Sequence, residues 1–417
     1  MPKTLLKDRC SVNTNIDSDV FVGIKSEEGN VQISFPLGFH ISEEEKELRK
    51  DILLIMSTLA KNTNKRDSEV LGQSNSFDEV KFPIQSYLFI IQDFYVRGYY
   101  KEREIHYNVS KRGKINWSRT IKTQRAYIQD EDLFYLDFVT KRNQINENEL
   151  ITLIHKYCVY ESFDKMGWLF SSYLPEKPRI KFKQKLFSGV LKDKLSNTFN
   201  DENRQLFINM LALIEYQGDE NAEKNFRYGT YKFSTVWERM IDKVFGESNK
   251  EEYYPKTIWN LNGSDFEGHD AEDKDNAYLR PDTIMKYNDR IYVLDAKYYK
   301  YGWSKNPGHL PESTSINKQI TYGEYIAEME KFCDDNGNHP IVYNAFIMPY
   351  NSIGKSFYTE NEMYFIGTAR SNWKLNNKSY EKVQGILLDV KYLMSLSSAK
   401  DMNEITKMAT LIDSVVR

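Results

Sequence analysis

The segment 279–299, LRPDTIMKYNDRIYVLDAKYY, constrains the fold of this chain more than any other part of the sequence. It contains two short apolar runs, at 283–287 and 290–296, that are typical of strands. Asn288 and Asp289, which separate the two runs, are frequent turn residues. The segment therefore predicts an antiparallel β-hairpin.

Two carboxylates and a lysine lie at one end of this hairpin. Asp282 opens the first strand, and Asp295 and Lys297 share one face near the end of the second, because strand side chains alternate with period two. The start of one antiparallel strand adjoins the end of the other, so we expect all three side chains to converge. Apolar residues flank both acidic positions, and burying carboxylates in such surroundings is costly without a function.

A pair of carboxylates beside a lysine suits metal-assisted cleavage of phosphodiesters. Mg²⁺ takes oxygen ligands and keeps several waters and substrate phosphate oxygens in its shell. It can neutralise charge that develops on the phosphate and activate a bound water. A neighbouring lysine can orient or deprotonate that water and offset charge in the transition state.

The triplet Asp-x-Lys also occurs by chance in charged proteins, and this chain has a second copy at Asp389-Val390-Lys391. The second copy has no Pro-Asp pair upstream at hairpin distance, whereas the 282–297 set has one. We therefore expect chemistry only at the first copy.

Composition indicates a globular protein of two or three domains, with 417 residues, 40% hydrophobic and 28% charged. The net charge is −3, whereas a protein that holds DNA unaided usually carries a large basic patch. Either the positive charge is local, or another subunit holds most of the DNA.

The three cysteines are widely separated and odd in number, which favours a reducing cytoplasm over a disulfide framework. No HxxxH or CxxC pair occurs, so no zinc site is expected. No apolar run resembles a signal peptide or a membrane span. The GxxxxGK[ST] phosphate loop is also absent, so any nucleotide-driven motor is expected on a separate subunit.

Apolar periodicity predicts a series of helices along the chain, with a polar loop at 62–76. The predicted helices are 42–61, 78–97, 146–170, 183–198, 200–216, 233–246, 317–333 and 402–416. Between the second and third of them, the β-prone runs 103–109 and 115–121 flank a basic, glycine-bearing segment. That arrangement predicts a second β-hairpin, with 110–114 as its tip.

Pro281-Asp282 followed by Asp295-Ala296-Lys297 resembles the PD-(D/E)xK nuclease signature. More narrowly, RPD…VLDAKYY is similar to the McrC subunit of McrBC-type restriction systems and to its LlaJI-type relatives. The resemblance implies that Asp282 and Asp295 are Mg²⁺ ligands and that Lys297 is the catalytic lysine.

Two helical residues extend this resemblance. Glu238 lies where these nucleases often carry a glutamate that supports a metal or the lysine, although a solvated helix charge is the alternative. Gln319 lies where the family carries a glutamine followed by a tyrosine. The spacing Q-x-x-x-Y would place that tyrosine at Gly323, and the nearest tyrosines here are Tyr322 and Tyr325.

The run 111–115, KRGKI, resembles a hairpin of McrC-like proteins whose N-terminal domain docks onto a ring of an AAA+ GTPase and stimulates it. By resemblance, Arg112 and Arg119 would contact such a partner. Two alternatives stay open, a solvated hairpin tip and a contact to DNA phosphate.

We therefore expect an α/β fold with a mixed-sheet PD-(D/E)xK restriction-endonuclease-like core at 226–417. An α+β region with a β-hairpin, 1–225, would precede it and serve partner docking and DNA contact. The expected function is a cytoplasmic, Mg²⁺-dependent endonuclease subunit that cuts double-stranded DNA together with an AAA+ GTPase or ATPase.

Two other functions fit parts of the sequence. A non-catalytic adaptor could activate an AAA+ GTPase and keep the nuclease fold as a scaffold, but the intact acidic pair and lysine count against it. A self-sufficient Type II restriction endonuclease would recognise its site alone, without a partner or nucleotide.

Overall fold

The computed structural model divides into two compact units, one formed by 1–79 with 225–417 and the other by 80–224. The structure describes residues 6–14, 21–27, 30–62, 83–129, 132–145, 149–171, 173–218, 226–257, 278–354, 357, 361–396 and 399–415. In these ranges the helices are α1 (Glu45–Asn62), α2 (Ile84–Arg97), α3 (Trp117–Thr123), α4 (Leu150–Met166), α5 (Gln184–Asn197), α6 (Asp201–Gln217), α7 (Phe233–Phe245), α8 (Tyr301–Ser304), α9 (Ser313–Glu328), α10 (Val390–Ser395) and α11 (Met402–Val415). The strands are β1 (Cys10–Val12), β2 (Val22–Glu27), β3 (Asn30–Phe35), β4 (Arg103–Val109), β5 (Lys114–Ile115), β6 (Ala126–Gln129), β7 (Asp132–Tyr135), β8 (Val139–Ile145), β9 (Phe226–Thr230), β10 (Thr283–Tyr287), β11 (Arg290–Ala296), β12 (Ile341–Tyr350), β13 (Met363–Arg370) and β14 (Lys382–Asp389).

A five-stranded mixed sheet in the order β10-β11-β12-β14-β13 forms the centre of the first unit. The inner pairs β11–β12 and β12–β14 are parallel, and the outer pairs β10–β11 and β13–β14 are antiparallel. The inner strands are apolar along almost their whole length because both faces of the sheet are covered. The expected α/β mixed sheet is confirmed.

The predicted hairpin has the bounds that its apolar runs indicated, with β10 and β11 paired in antiparallel register. Asn288 adopts a left-handed conformation, with φ of 54°, which asparagine tolerates better than most residues. The local sequence therefore sets the geometry that brings the strand ends together.

Helix α7 packs its apolar face onto β10 and β11. Its buried residues recur every three or four positions, as the helical period requires: Phe233, Val236, Trp237, Met240, Ile241, Val244 and Phe245. The Trp237 indole Nε1 donates to the Ile347 carbonyl of β12 at 3.3 Å. This packing fixes the rotation of α7 relative to the sheet.

The N-terminal strands belong to the same compact unit as the hairpin. They form a four-stranded sheet in the order β1-β3-β2-β9, in which Val22 pairs with Thr230. Helix α1 packs against α7 and α10, and buried Asp51 forms an ion pair with Lys391 at 2.6 Å. The sequence analysis expected one boundary, at 225/226. The compact units have a second one near residue 79, because residues 80–224 are inserted in the sequence between the two segments of the first unit.

The second unit combines helices α2, α4, α5 and α6 with a three-stranded sheet, β4-β8-β5, and the separate hairpin β6–β7. The helices predicted at 146–170, 183–198 and 200–216 match α4, α5 and α6 to within four residues at each end. The helix predicted at 78–97 matches α2 from Ile84 onward, and its first part, 78–82, falls outside the described residues. The polar loop expected at 62–76 falls outside the described residues, apart from Asn62, which ends α1.

The second predicted hairpin, 103–109 with 115–121, is wrong in its second half. Strand β4 and the short β5 both pair with β8 rather than with each other. After Ile115 the chain becomes helical, because the Asn116 side chain accepts a hydrogen bond from the Arg119 backbone N–H and begins α3. Segment 110–113 is therefore a loop that leads from β4 to an edge strand and a helix.

The glutamine-bearing helix, expected at 317–333, is α9. It begins four residues earlier, at Ser313, and ends at Glu328. A separate turn of 3-10 helix, Glu330–Phe332, follows it. No helix in the described part of the chain is both long and apolar enough to span a membrane.

Candidate active site

Asp282 and Asp295 converge at the open end of the β10–β11 hairpin. Thr283 pairs with Leu294 in the register, so Asp282 and Asp295 are opposite each other one position further on. The Ala296 backbone N–H donates a hydrogen bond of 2.9 Å to Oδ2 of Asp282. The structure thus brings together the two carboxylates that the sequence predicted to be neighbours.

Burial and a second negative charge make Asp282 reluctant to ionise. Burial is the largest cause, followed by the charge of Asp295 and a hydrogen bond between the two side chains, and together they raise the pKa of Asp282 to about 8. Glu238 adds a smaller repulsion. At neutral pH the carboxylate pair therefore holds a proton that a bound cation would have to displace.

Lys297 forms an ion pair with Asp295, with Nζ 2.5 Å from Oδ2. Burial by itself lowers the pKa of Lys297, but Asp295, and then Asp282, outweigh it and the pKa is raised overall. The Lys297 backbone N–H donates to the Ile347 carbonyl at 2.9 Å, which continues the ladder to β12 beyond the end of β11. The ammonium group is thereby held beside the carboxylate pair.

Glu238 reaches the same place from helix α7. Burial raises its pKa, the charge of Asp295 raises it further, and Lys297 acts in the opposite direction. Glu238 is therefore half-buried beside the hairpin end and is not a plain solvated helix charge.

Gln319 lies under the hairpin end on helix α9 and is 1% exposed. Its Nε2 donates to the Val293 carbonyl of β11 at 2.7 Å. Its Oε1 is buried and has no hydrogen-bond partner among the described residues. Gln319 therefore anchors α9 to β11 two residues before Asp295, and its side-chain oxygen stays available to accept a hydrogen bond.

Helix α9 also shows why position 323 carries no tyrosine. A Cβ at Gly323 would lie 2.5 Å from Nδ2 of Asn344 and 2.7 Å from Cβ of Tyr380, closer than packing allows. The neighbouring Tyr322 is buried, and its hydroxyl donates to the Arg280 carbonyl at 3.1 Å. Tyr322 thus fixes the chain just before Pro281-Asp282, a role for which the sequence spacing gave only a hint.

A second group of residues that the sequence analysis missed supports the start of β10. Lys250 Nζ donates both to Asp242 Oδ2 and to the Asp282 backbone carbonyl, each at 2.7 Å. Asp242 also accepts from the Thr283 hydroxyl at 3.2 Å. Asp242 lies one helical turn after Glu238 in α7. That spacing places both carboxylates on one face of the helix and could have identified Asp242 from the sequence.

The second Asp-x-Lys triplet makes contacts within the fold. Asp389 caps helix α10 through the Tyr392 backbone N–H and accepts two hydrogen bonds from Ser352. Lys391 forms an ion pair with Asp51.

A cleft of about 640 Å³ opens onto the site in the first unit. Glu238 and Lys297 line this cleft, together with polar and aromatic side chains. The lining residues outside these two include Asn13, Tyr231, Ser234, Tyr299, Lys300, His309, Glu312, Thr314 and Ser315. Ala296 and Lys297, which follow Asp295 in the chain, line this cleft, so the cleft adjoins the carboxylate pair.

The donor set suits a hard divalent cation. Among the described residues, no three His, Cys, Asp or Glu side chains converge as a preformed cage. Mg²⁺ rarely uses such a cage and is usually held by one or two carboxylates plus waters and phosphate oxygens. Asp282 and Asp295 provide that pair, and their mutual repulsion is the kind that a bound cation relieves.

Arg112 and Arg119 lie in the second unit. Arg112 is exposed in the loop that leads into β5, where its backbone N–H donates to the Ser110 hydroxyl at 3.1 Å. The Arg119 guanidinium lies over the Tyr107 ring, 3.7 Å from its centroid. Arg119 is therefore partly engaged within the unit, whereas Arg112 extends from the loop.

The family model of the LlaJI restriction endonuclease matches residues 21–391. The chain belongs to the LlaJI restriction endonuclease family. A Type II restriction enzyme component of Bacillus subtilis (strain 168), BsuMI component YdjA, is 26% identical over 405 residues, which cover 93% of this chain and 84% of that protein.

Two solved structures from Thermococcus gammatolerans are also similar to this member of the LlaJI family. One is a half-complex of McrB AAA+ hexamers with bound McrC, at 14% identity and a TM-score of 0.37 over 95% of this chain and 82% of that chain. The other is an McrBC complex, at 15% identity and a TM-score of 0.22 over 54% of this chain and 68% of that chain.

Proposed function

We propose that this member of the LlaJI family is the DNA-cleaving subunit of a restriction system and hydrolyses phosphodiesters with a divalent metal, Mg²⁺. The observation that carries the proposal is the meeting of Asp282, Asp295 and Lys297 beside an open cleft. Family membership supports the same chemistry. On this reading the mixed sheet is a PD-(D/E)xK nuclease core.

Each side chain has a distinct part in the proposed reaction. Asp282 and Asp295 would hold the cation, which when bound supplies charge neutralisation at the phosphate. Lys297 orients the attacking water and offsets negative charge in the transition state. Glu238 interacts electrostatically with Asp295 and Lys297 and supports both side chains. Gln319 holds β11 in place through its hydrogen bond to the Val293 carbonyl.

The proposed system includes a second subunit, an AAA+ NTPase that holds and moves the double-stranded DNA. The net charge of −3 supports this division of labour, and so does the description of the Bacillus relative as one component of an enzyme.

The second unit exposes a set of large apolar side chains on α3 and the β6–β7 hairpin, a composition that favours a protein contact over DNA. They are Trp117, Ile121, Tyr127, Ile128, Leu133 and Phe134. Arg112 and Arg119 belong to the same unit, and we assign both to this contact.

The test is cleavage of plasmid and phage DNA by the protein co-expressed with its AAA+ subunit, in Mg²⁺ with GTP or ATP. The variant is Lys297→Ala, and the matched control is Lys286→Ala, an exposed lysine of the same hairpin. Loss of cleavage in Lys297→Ala alone, with the partner's nucleotide hydrolysis still stimulated, is the expected result.

Two other outcomes would replace the proposal. Stimulated nucleotide hydrolysis without cleavage of any DNA would identify a non-catalytic adaptor. Cleavage by the purified chain without partner or nucleotide would identify a self-sufficient Type II endonuclease. Equal cleavage by wild type and Lys297→Ala would exclude the assigned site.

A further inference from the structure

His309 lies on the wall of the cleft that Lys297 and Glu238 share. It is half-buried at the end of a turn of 3-10 helix, Pro307–His309, between α8 and α9. No sequence motif points to it, and neither the metal chemistry nor the lysine uses it. It is the one histidine on the described wall of this cleft.

The loop that carries His309 is anchored to the central sheet. Helix α8 lies against β12 so closely that a Cβ at Gly302 would be 2.0 Å from the Pro349 carbonyl oxygen. The Asn306 backbone N–H donates to Ser304 Oγ at 3.2 Å, and Asn306 Oδ1 accepts from the Gly308 backbone N–H at 2.9 Å. These contacts fix the backbone of the loop relative to β12, which pairs with the strand that leads to Lys297.

The other anchor is a hydrogen bond of 2.6 Å between His309 Nδ1 and Ser304 Oγ. The direction in which the Ser304 hydroxyl donates to Nδ1 uses the hydroxyl hydrogen, whereas the opposite direction leaves that hydrogen without a partner among the described residues. A neutral imidazole that accepts at Nδ1 carries its proton on Nε2. Nε2 makes no hydrogen bond to any residue that the structure describes, which leaves an N–H donor for the cleft.

A DNA strand that enters this cleft brings anionic phosphates toward Glu238 and Glu312, which line it, and toward the neighbouring Asp295. Donors that face the strand are therefore valuable here. A preformed N–H donor to a charged oxygen contributes more than one between neutral groups.

We propose that His309 Nε2 donates a hydrogen bond to a non-bridging phosphate oxygen of the DNA strand in the cleft, and so positions that strand for attack beside Lys297. The inference rests on the proposed nuclease function and assigns a substrate contact to a residue outside the carboxylate–lysine set. Ser304 acts through His309 and is a positioning residue.

The test uses two substitutions that separate the ring nitrogens. The amide of glutamine can place a donor near Nε2, whereas the amide of asparagine reaches only as far as Nδ1. His309→Asn keeps a hydrogen-bond partner for Ser304 and removes the donor to phosphate. His309→Gln keeps the donor to phosphate and removes the partner of Ser304. His339→Gln is the control, because His339 is exposed near Cys333 and is not among the residues that line this cleft.

Two rates are measured on the full chain with its AAA+ subunit, single-turnover cleavage of plasmid DNA in Mg²⁺ and dissociation of a fluorescent mixed-sequence duplex in Ca²⁺. His309→Asn is expected to lose roughly 10-fold or more in cleavage and to release the duplex faster. For His309→Gln, both the cleavage rate and the dissociation rate are expected to stay within about threefold of wild type. Thermal melting checks that both variants fold.

The reverse ranking, with asparagine tolerated and glutamine not, would show that His309 only holds its loop and would overturn the inference. Wild-type behaviour of both variants would overturn it as well. Wild-type protein that binds the duplex but cuts no DNA would reject the proposed function instead, and the duplex arm would still decide whether His309 contacts phosphate.

Discussion

Asp282 and Asp295 lie opposite each other across the last rung of the β10–β11 hairpin, and their proximity raises the pKa of Asp282 to about 8. Lys297 forms an ion pair with Asp295, yet burial and the second carboxyl group still disfavour the ionised form of Asp282. The arrangement therefore makes separate predictions for stability and for activity.

Asp282→Asn is expected to increase stability in metal-free buffer at neutral pH while abolishing cleavage. The amide keeps an oxygen for the Ala296 N–H. Because burial and Asp295 raise the pKa of Asp282 to about 8, the carboxyl group must take up a proton on folding at neutral pH, and asparagine avoids that cost. We expect a gain of roughly 1–3 kcal/mol in the free energy of unfolding. Urea denaturation in EDTA measures it, and a loss of stability would show that the carboxyl group contributes more to packing than to repulsion.

Divalent metal is expected to raise the melting temperature of the wild-type chain. A ligand that binds only the folded state stabilises it by mass action, by about 2.7 kcal/mol at a hundred times its dissociation constant. Asp282→Asn should lose this response because it lacks one of the two carboxylates. Scanning calorimetry with Mg²⁺, Mn²⁺ and Ca²⁺ measures the shift; an equal response in the variant would place the metal elsewhere.

His155 is expected to make the second unit less stable in mild acid. Burial, followed by the charge of Arg97, lowers its pKa from 6.5 to about 3. The unfolded chain therefore binds one more proton than the folded chain between these values, and stability falls as the pH drops below about 6.5.

The slope from His155 alone is roughly 1.4 kcal/mol per pH unit in that window. His155→Asn keeps an acceptor for the Tyr100 N–H, which bonds Nδ1 at 2.8 Å, but cannot titrate. Urea denaturation at several pH values compares the two slopes. Parallel slopes would mean that the pKa of His155 is the same in the folded and the unfolded chain.

Two helical glycines should respond to alanine in opposite directions. Gly323→Ala is expected to cost about 1–3 kcal/mol, because the new Cβ would overlap Asn344 and Tyr380. Gly189→Ala in α5 has open space around it and should gain about 0.5–1 kcal/mol from helix propensity. The same denaturation experiment measures both, and a gain at Gly323 would mean that α9 can shift on the sheet.

The apolar surface of the second unit provides a test of the partner contact. Ile128→Asp replaces a side chain that is 79% exposed, so the fold should tolerate it. We expect loss of co-purification with the AAA+ subunit, with the melting temperature unchanged. Arg112→Ala should weaken the same contact less, and unaltered co-purification of Ile128→Asp would assign the partner to another surface.

Sequence patterns predicted the elements whose signals are local. The hairpin strands matched to the residue because an apolar run and a turn pair mark both ends, and the convergence of Asp282 with Asp295 followed from antiparallel geometry. The helix at Trp117 was missed because a single capping residue, Asn116, decided between strand and helix in a β-prone run.

Features that depend on distant contacts could not be read from the sequence. The lack of room at Gly323 depends on Tyr380, and the position of His309 depends on the contact of Gly302 with β12. The sheet that joins the N-terminal strands to β9 left no local signal either, because its partners are separated by the entire second unit.

That pairing of Val22 with Thr230 sets an order of events during synthesis on the ribosome. The N-terminal strands emerge first but have no β9 to pair with until residues 80–224 have been made, so their sheet stays incomplete while the second unit can already fold. The β10–β11 hairpin, which ends at Ala296, emerges later still, so the carboxylate pair is assembled only after the second unit has been made. An incomplete chain released early would therefore contain the second unit without the proposed nuclease site.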